Sequence, residues 1–447
     1  MAVKKTEDLE NKLLPPDGGW GIVVALAVAT VFGSIIVPTG VFGVVYGPFL
    51  ATIGDETSGT AIVNSVFNTV LCFTGLPANQ LLQRTSYRVV GLLGALLYFL
   101  GSFSCIFVTS RAQLVITWGI LQGMGFGLMM PAVFTAFNRY FDTRRNAAMA
   151  MAQVLVAALN ISFPFLATLS MDTFGFRGTV ALISAYGLHC FPAMLSLQPV
   201  EWYMKKEPLD ANSQMYQLSG NNLEENKEPV PTLCTSTRRD RKLLDAWKSV
   251  EKALDLGLFK QPSFVNIVLG LSLSMTSDLA FISIFPLLLT TAGFSTDELT
   301  LVMTTYFTAD LISRIFVFLL TSRIDISSRK LFLFGASFSA IFRILYVVGD
   351  SFWWIVVISA VLGFLRSFIQ IPLPLVVAEA FPTRFVTAFS LYMVVCGCVA
   401  LSFGPLMSFV KQTTGRLDMV VHLLTLAHIL CAVPWLIEMV YAKFVRK

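Results

Sequence analysis

"SQMYQLSGNNLEENKEP", residues 213–229, decides how the rest of this chain is read. It is polar and charge-mixed, and the sequence on either side of it is dominated by long apolar runs. With its neighbour "TRRDRKLLDAWKSVEKALDLGLF", 237–259, it belongs to a polar segment, 199–262, that divides those runs six and six. A segment of this composition has too little apolar surface to offset the entropy of ordering, so its middle is expected to be disordered. Its last part, Leu243 to Phe259, has helical apolar spacing. That part is expected either to lie along a membrane surface or to be a plain solvated connector.

The apolar runs set the solvent. Of 447 residues 55% are hydrophobic and 13% charged, and the mean hydropathy is +0.72. A soluble domain carries about 25% charged residues, so half the usual charge is missing and a lipid bilayer accounts for the deficit. The 38 phenylalanines suit lipid-facing and helix-packing surfaces, and a net charge of +5 is too small to point to nucleic acid. Six of the seven cysteines (Cys72, Cys105, Cys190, Cys396, Cys398 and Cys431) lie in apolar runs, with no C-x-x-C spacing. They read as buried free thiols rather than a disulfide framework or a zinc site, and no metal or cofactor is expected. The opening stretch "MAVKKTEDLENKLLPPDGGW" holds acids and prolines, unlike a cleavable signal or a transit peptide. The first apolar run is expected to act as its own insertion signal.

Twelve runs are long enough to cross a bilayer as helices: 20–48, 60–82, 88–109, 112–137, 146–170, 178–198, 263–290, 298–320, 331–349, 352–378, 383–410 and 417–441. The first is expected to bend near Pro38. The class is therefore an all-α membrane protein of two six-helix halves. The expected layout is a tail at 1–16, a first half at 17–198, a linker at 199–262, a second half at 263–441 and a short tail at 442–447. An even count puts both termini on one side. The short loops on that side hold Arg84, Arg88, Arg139, Arg144, Arg145, Arg323, Arg329, Lys330 and Arg384, against Arg111, Arg177, Lys411 and Arg416 opposite. Nine basic residues against four make the termini cytoplasmic by the positive-inside rule. The halves also echo each other: "LLQRTSYRVVGLLGALL" after the second helix and "LLTSRIDISSRKLFLFGAS" after the eighth share a Leu-Leu end, two basic residues and a Gly-containing helix, a trace of duplication.

"YFTADLISRIF", 306–316, places Asp310 and Arg314 one helical turn apart inside an apolar run. An isolated charge at the bilayer centre costs roughly 2.5–3.5 kcal/mol on insertion scales, so such residues pair, face a wet cavity, or both. Arg314 is a permanent, forked cation suited to carboxylates. Asp310 can release it or carry a proton. The competing reading is a pair that merely stitches two helices together. Asp278 and Arg366 are candidates for the same cavity, whereas Arg343 is expected to snorkel to an interface. Asn64, Asn68, Asn160, Gln122, Gln153 and Gln370 are read as interhelical hydrogen-bonding groups. His189, His422 and His428 are scattered, lone histidines and are not assigned. "GILQGMGFGLMMP", 119–131, spaces glycines at 119, 123 and 127, a ridge for close helix packing. No strand or Lys-Ser/Thr follows to make a phosphate loop, and no H-E-x-x-H or G-x-S-x-G is present. An enzyme is not expected.

Two further motifs carry a resemblance. "PPDGGWGIVVAL", 15–26, resembles the acid-Gly-Gly-Trp-Gly signature that opens the first helix of monocarboxylate transporters, twelve-helix members of the major facilitator superfamily. "NRYFDTRRNAAMAMAQ", 138–153, is similar to that family's signature leading into the fifth helix, and Asp310-x-x-x-Arg314 matches its eighth-helix pair. The resemblance implies a plasma-membrane carrier of small organic anions that uses Arg314 and Asp310 for substrate and Asp310 for proton coupling. It also implies a gating role for Asp17, Gly18, Gly19, Trp20, Arg144 and Arg145, and, as for some relatives, a single-span glycoprotein chaperone. Physically, Asp17 suits the start of the first helix and Trp20 an interfacial anchor. Arg144 and Arg145 suit inter-loop salt bridges.

The departures bear on substrate. Thr39 follows Pro38 where lactate and pyruvate carriers resemble one another in having Lys; Ile35 and Cys72 stand where they tend to have Tyr; Thr143 replaces a Lys; and glycines are lost at Met149 and Gln153. The expected substrate site is Arg314, Asp310, Thr39 and Arg366, taking a small organic acid. Amino acids or carnitine-like zwitterions remain the alternative in the same fold, and a non-transporting receptor or scaffold the alternative from another class.

Overall fold

The computed structural model describes residues 11–53, 56–208, 256–349 and 351–445. Among them, eleven helical stretches are long and apolar enough to cross a membrane. The predicted helix at 60–82 is present as two consecutive helices, Glu56–Phe73 and Gly75–Arg84, that meet at Thr74. It carries Thr60, Asn64, Ser65 and Asn68, which dilute its apolar character. With it, each of the twelve predicted spans has a helical counterpart.

Where the helices break, the residues give the reason. The first span, Trp20–Gly40, resumes as Phe42–Thr52 after Val41, three residues beyond the bend-inducing Pro38. The fourth crosses over Arg111–Tyr140 and includes a wider π-helical stretch, Val115–Gln122. The fifth and sixth run together over Arg145–Gly187, and the chain turns between them at Gly175. That residue has φ +67°, a conformation that glycine adopts without a Cβ clash. The second half comprises Pro262–Thr291, Thr296–Arg323, Ser328–Val348, Phe352–Gln370 with Leu373–Ala380, Phe385–Thr414 and Asp418–Val445.

The glycine ridge of the fourth span packs as its spacing predicts. A Cβ at Gly119, Gly123 or Gly127 would meet Val66, the Phe67 carbonyl or the Leu71 carbonyl of the second span. Gly125, on the adjoining face, would bring one within 2.4 Å of the Tyr98 nitrogen on the third. Small residues here let backbones approach without a hydrophobic driving force between helices.

Contacts at one end of the bundle gather the chain ends. Strand β1 (Asn11–Leu14) pairs antiparallel with β2 (Lys205–Pro208), an element that apolar periodicity did not signal. Glu438 accepts hydrogen bonds from Ser263, Asn266 and Arg329 at 2.9, 2.6 and 2.6 Å, tying the twelfth span to the start of the seventh and to the eighth–ninth loop. Asn146 donates to the Ile326 carbonyl at 2.8 Å across the halves. Both ends of the described chain therefore share one face, called here the terminal face.

Residues 209–255, which contain the predicted disordered middle and most of the predicted surface helix, lie outside the described residues. The described end of that segment, Leu256–Lys260, is a 3-10 turn with Leu258 buried. Not all of the thiols are buried as expected: Cys105, Cys190 and Cys431 are, Cys72 and Cys396 are partly so, but Cys398 is exposed. Cys398 stands on the outward side of the eleventh span.

Candidate functional site

Five ionisable residues from four helices of the second half converge at mid-depth. Arg314 turns back on Asp310 one helical turn away, with Nε and Nη2 each 3.0 Å from Oδ2. Arg366, from the tenth span, reaches the same Asp310 oxygen at 3.4 Å and donates Nε to Asp278 of the seventh at 3.2 Å. Gln370 donates to Asp278 at 2.9 Å. Behind them Arg343, from the ninth span, lies 3.6 Å from the other Asp278 oxygen and donates to Ser277 at 2.6 Å. Its guanidinium sits 4.5 Å above the ring of Phe281, and His428 of the twelfth span shares Ser277. Arg343 is 2% exposed, so the expected snorkelling does not occur. It points inward because Asp278 neutralises it there, where lipid offers no such partner.

The cluster forms one wall of a cavity of about 580 Å³ between the halves. Asp310, Arg314, Arg366 and Gln370 face Gln153 and Asn160 of the fifth span, with Phe32 and Ile36 of the first. Phe134, Leu373 and Pro374 floor it on the terminal-face side, where Phe134 meets Phe389 edge-on at 5.3 Å. In the other direction it extends along the eighth span to Leu299 and Thr300, close to that helix's far end. One bond crosses it: Arg314 Nη1 donates to Gln153 Oε1 at 2.9 Å. Asp310 Oδ1 is buried and has no hydrogen-bond partner among the described residues.

The other predicted residues fall elsewhere. Thr39 is not among the cavity-lining residues, although its neighbours Ile36 and Gly40 are; its hydroxyl is buried without a partner among the described residues. Asp17 does not act on the first helix. With a backbone φ of +47°, it turns its carboxylate onto the loop before the fifth span. There it accepts from the amides of Asp142, Thr143 and Arg144 at 2.7, 3.4 and 3.4 Å, and from the Thr143 hydroxyl at 2.9 Å. Burial works to raise its pKa, but these four donors outweigh burial and hold the carboxyl below the ordinary aspartate value. Trp20 is likewise tied to protein, donating to the Ser196 carbonyl at 2.9 Å and stacking on Tyr203. Arg145 pairs with Asp142 in its own loop at 3.3 Å, and Arg144 is exposed.

Sequence spacing found Asp310 and Arg314 because they share one helix. Asp278 and Arg366 were legible as lone intramembrane charges and do join that pair; Arg343, Ser277 and His428 lie on three other helices, and no one-dimensional signal joins them to it. Of the amides, Gln122, Gln153 and Gln370 do bridge helices. Asn64 and Asn68 instead bond carbonyls of their own helix, at 3.1 and 2.9 Å.

This architecture is an integral membrane bundle of two six-helix halves enclosing a central charged cavity. The chain belongs to the Major Facilitator Superfamily, whose family model matches residues 24–405. Monocarboxylate transporter 13 of Rattus norvegicus is 30% identical over 190 residues, 42% of this chain and 44% of that protein. Monocarboxylate transporter 4 of Gallus gallus is 25% identical over 274 residues, 61% of this chain and 51% of that protein. The matches thus span about half the length of these relatives. The solved structure of FucP, a Major Facilitator Superfamily transporter in the outward conformation, superposes with a TM-score of 0.64 at 12% identity, covering 92% of this chain and 97% of that one.

Proposed function

We propose that this chain is a plasma-membrane carrier of organic monoanions, working by alternating access with the terminal face cytoplasmic. The observation that carries the reading is the cavity between the halves with Arg314 and Arg366 in its wall. Three guanidiniums against two carboxylates leave the cluster one positive charge in excess, which a single carboxylate neutralises. Phe32, Phe134, Met275, Met303 and Phe307 supply an apolar lining, so the favoured solute has an apolar body behind its carboxylate. Arg314 receives the anion and Arg366 assists it. Asp310, released from Arg314, takes the proton at its free Oδ1. Support for this comes from the similarity to monocarboxylate transporters and from the basic loops of the terminal face.

The test is uptake into proteoliposomes, with and without a pH step, across labelled short and aromatic monocarboxylates, amino acids and zwitterions. Arg314→Ala, with equal abundance, is expected to weaken saturable uptake by ~30-fold or more, the equivalent of about 2 kcal/mol lost with a buried charged partner. Unchanged uptake removes the binding role. Asp310→Asn is expected to flatten the dependence on the proton gradient; an unaltered pH response means facilitated diffusion. The unpartnered Oδ1 also favours a second reading, a zwitterion whose ammonium meets Asp310. Its mark is uptake of an amino acid that is lost when its amine is acetylated.

A further inference from the structure

The first half contributes to the cavity chiefly apolar groups, and the position after Pro38 holds Thr39, which does not line it. The polar contribution comes instead from the fifth span. Gln153 is 7% exposed, lines the cavity and gives its amide oxygen to Arg314 Nη1 at 2.9 Å. That bond fixes which way the amide faces. With Oε1 held by a permanent cation, the NH2 end is the one turned to other acceptors, and the bond to Arg314 does not use it. A donor pair therefore sits at one edge of the guanidinium: Nη1 of Arg314 from the second half and Nε2 of Gln153 from the first.

We propose that Gln153 is the first half's contact to the transported carboxylate and a determinant of solute specificity. A carboxylate oxygen that arrives at Arg314 exchanges a neutral amide acceptor for a charged one, which forms the stronger hydrogen bond. The amide, displaced from Nη1 or retained beside it, donates Nε2–H to that same carboxylate. One anion then bridges the two halves, Arg314 on one side and Gln153 on the other. Because Gln153 is neutral, it adds no charge to the single positive excess of the cluster, so the pair selects monoanions over dianions. This rests on the carrier reading of Arg314.

The experiment is proteoliposome uptake of labelled lactate, benzoate and succinate by the wild-type chain and by Gln153→Leu, Gln153→Asn, Gln153→Glu and Arg314→Ala at matched abundance. Gln153→Leu is expected to raise KM for the monocarboxylate about tenfold with maximal rate little changed, the worth of about 1.4 kcal/mol for a lost charge-assisted bond. Gln153→Asn is expected to recover part of it. Gln153→Glu supplies an internal carboxylate to Arg314 and is expected to abolish uptake of both monoanions. Succinate is expected to be a poor solute for every form. If Arg314→Ala is inactive while Gln153→Leu keeps the wild-type KM, this inference fails and the carrier reading stands. If the wild-type chain takes up neither monocarboxylate, or Arg314→Ala takes them up unimpaired, both fail together.

Discussion

Arg343 shows how a charge is made tolerable inside a bilayer-embedded protein. Its partners come from two other helices: Asp278 and Ser277 from the seventh and His428 from the twelfth; its own helix supplies none of them. The residue also does indirect work, because Asp278, held from behind by Arg343, holds Arg366 and Gln370 at the cavity wall. Removing one member of a buried ion pair strands the other at a cost of about 3–5 kcal/mol, whereas replacing both is much less damaging. Arg343→Met alone is accordingly expected to lower the thermal unfolding temperature of the detergent-solubilised protein sharply. The double variant Arg343→Met/Asp278→Asn is expected to recover most of that loss while still weakening solute binding, since Arg366 loses its anchor. A double variant no more stable than the single one would show that the pair is not the stabilising unit.

At the scale of helices, the cavity depends on close approach of the tenth span to the eighth. A Cβ on Gly363 would fall 2.1 Å from the Tyr306 carbonyl, one turn before Asp310, and backbone cannot yield as a flexible side-chain end can. The Ser313 and Ser367 hydroxyls bond to each other further along the same seam. Gly363→Ala must push the two helices apart, and overpacking of this kind costs about 1–3 kcal/mol. The expected result is lower thermal stability together with a raised KM, because Arg366 and Arg314 ride on the separated helices. Gly404→Ala, where the added methyl meets nothing within 4 Å, is the control and should change neither.

Taken as a whole, the molecule is shut at the terminal face. Asn146 donates to the Ile326 carbonyl at 2.8 Å and accepts from the Ser328 hydroxyl at 2.9 Å; Thr387 bonds Asn79 at 3.3 Å; and Gly75 abuts the eleventh span at Ser390 and Met393. Towards the far face the eleventh span is exposed all round from Gly404 to Arg416, apart from the partly buried Met407 and Val410. Asn146→Ala removes two bonds between the halves, about 1–3 kcal/mol together, which shifts a two-state equilibrium by ~5–150-fold towards opening at this face. Spin labels at Arg84 and Arg323, both exposed there on opposite halves, are expected to report a longer distance in the variant. An unchanged distance distribution would mean that these bonds do not hold the closed state.

Length and spacing of apolar runs, the polar interruption at 199–262 and the bias of basic residues were enough to read a twelve-helix bundle in two halves. In hydrocarbon a helix must satisfy its own backbone, so each span is a local property of about twenty consecutive residues. The Asp310–Arg314 pair was readable for the same reason, one turn of one helix. The rest was decided by tertiary structure. Arg343 turned inward, Asp17 capped a loop 125 residues away, Thr39 fell outside the cavity lining and Gln153 met Arg314 from the other half. Apolar periodicity says which residues avoid water, but not how each helix is rotated or which neighbour it meets. In a bundle whose helices are apolar on nearly every face, those rotations, set by packing and by the few buried charges finding one another, decide where the site is.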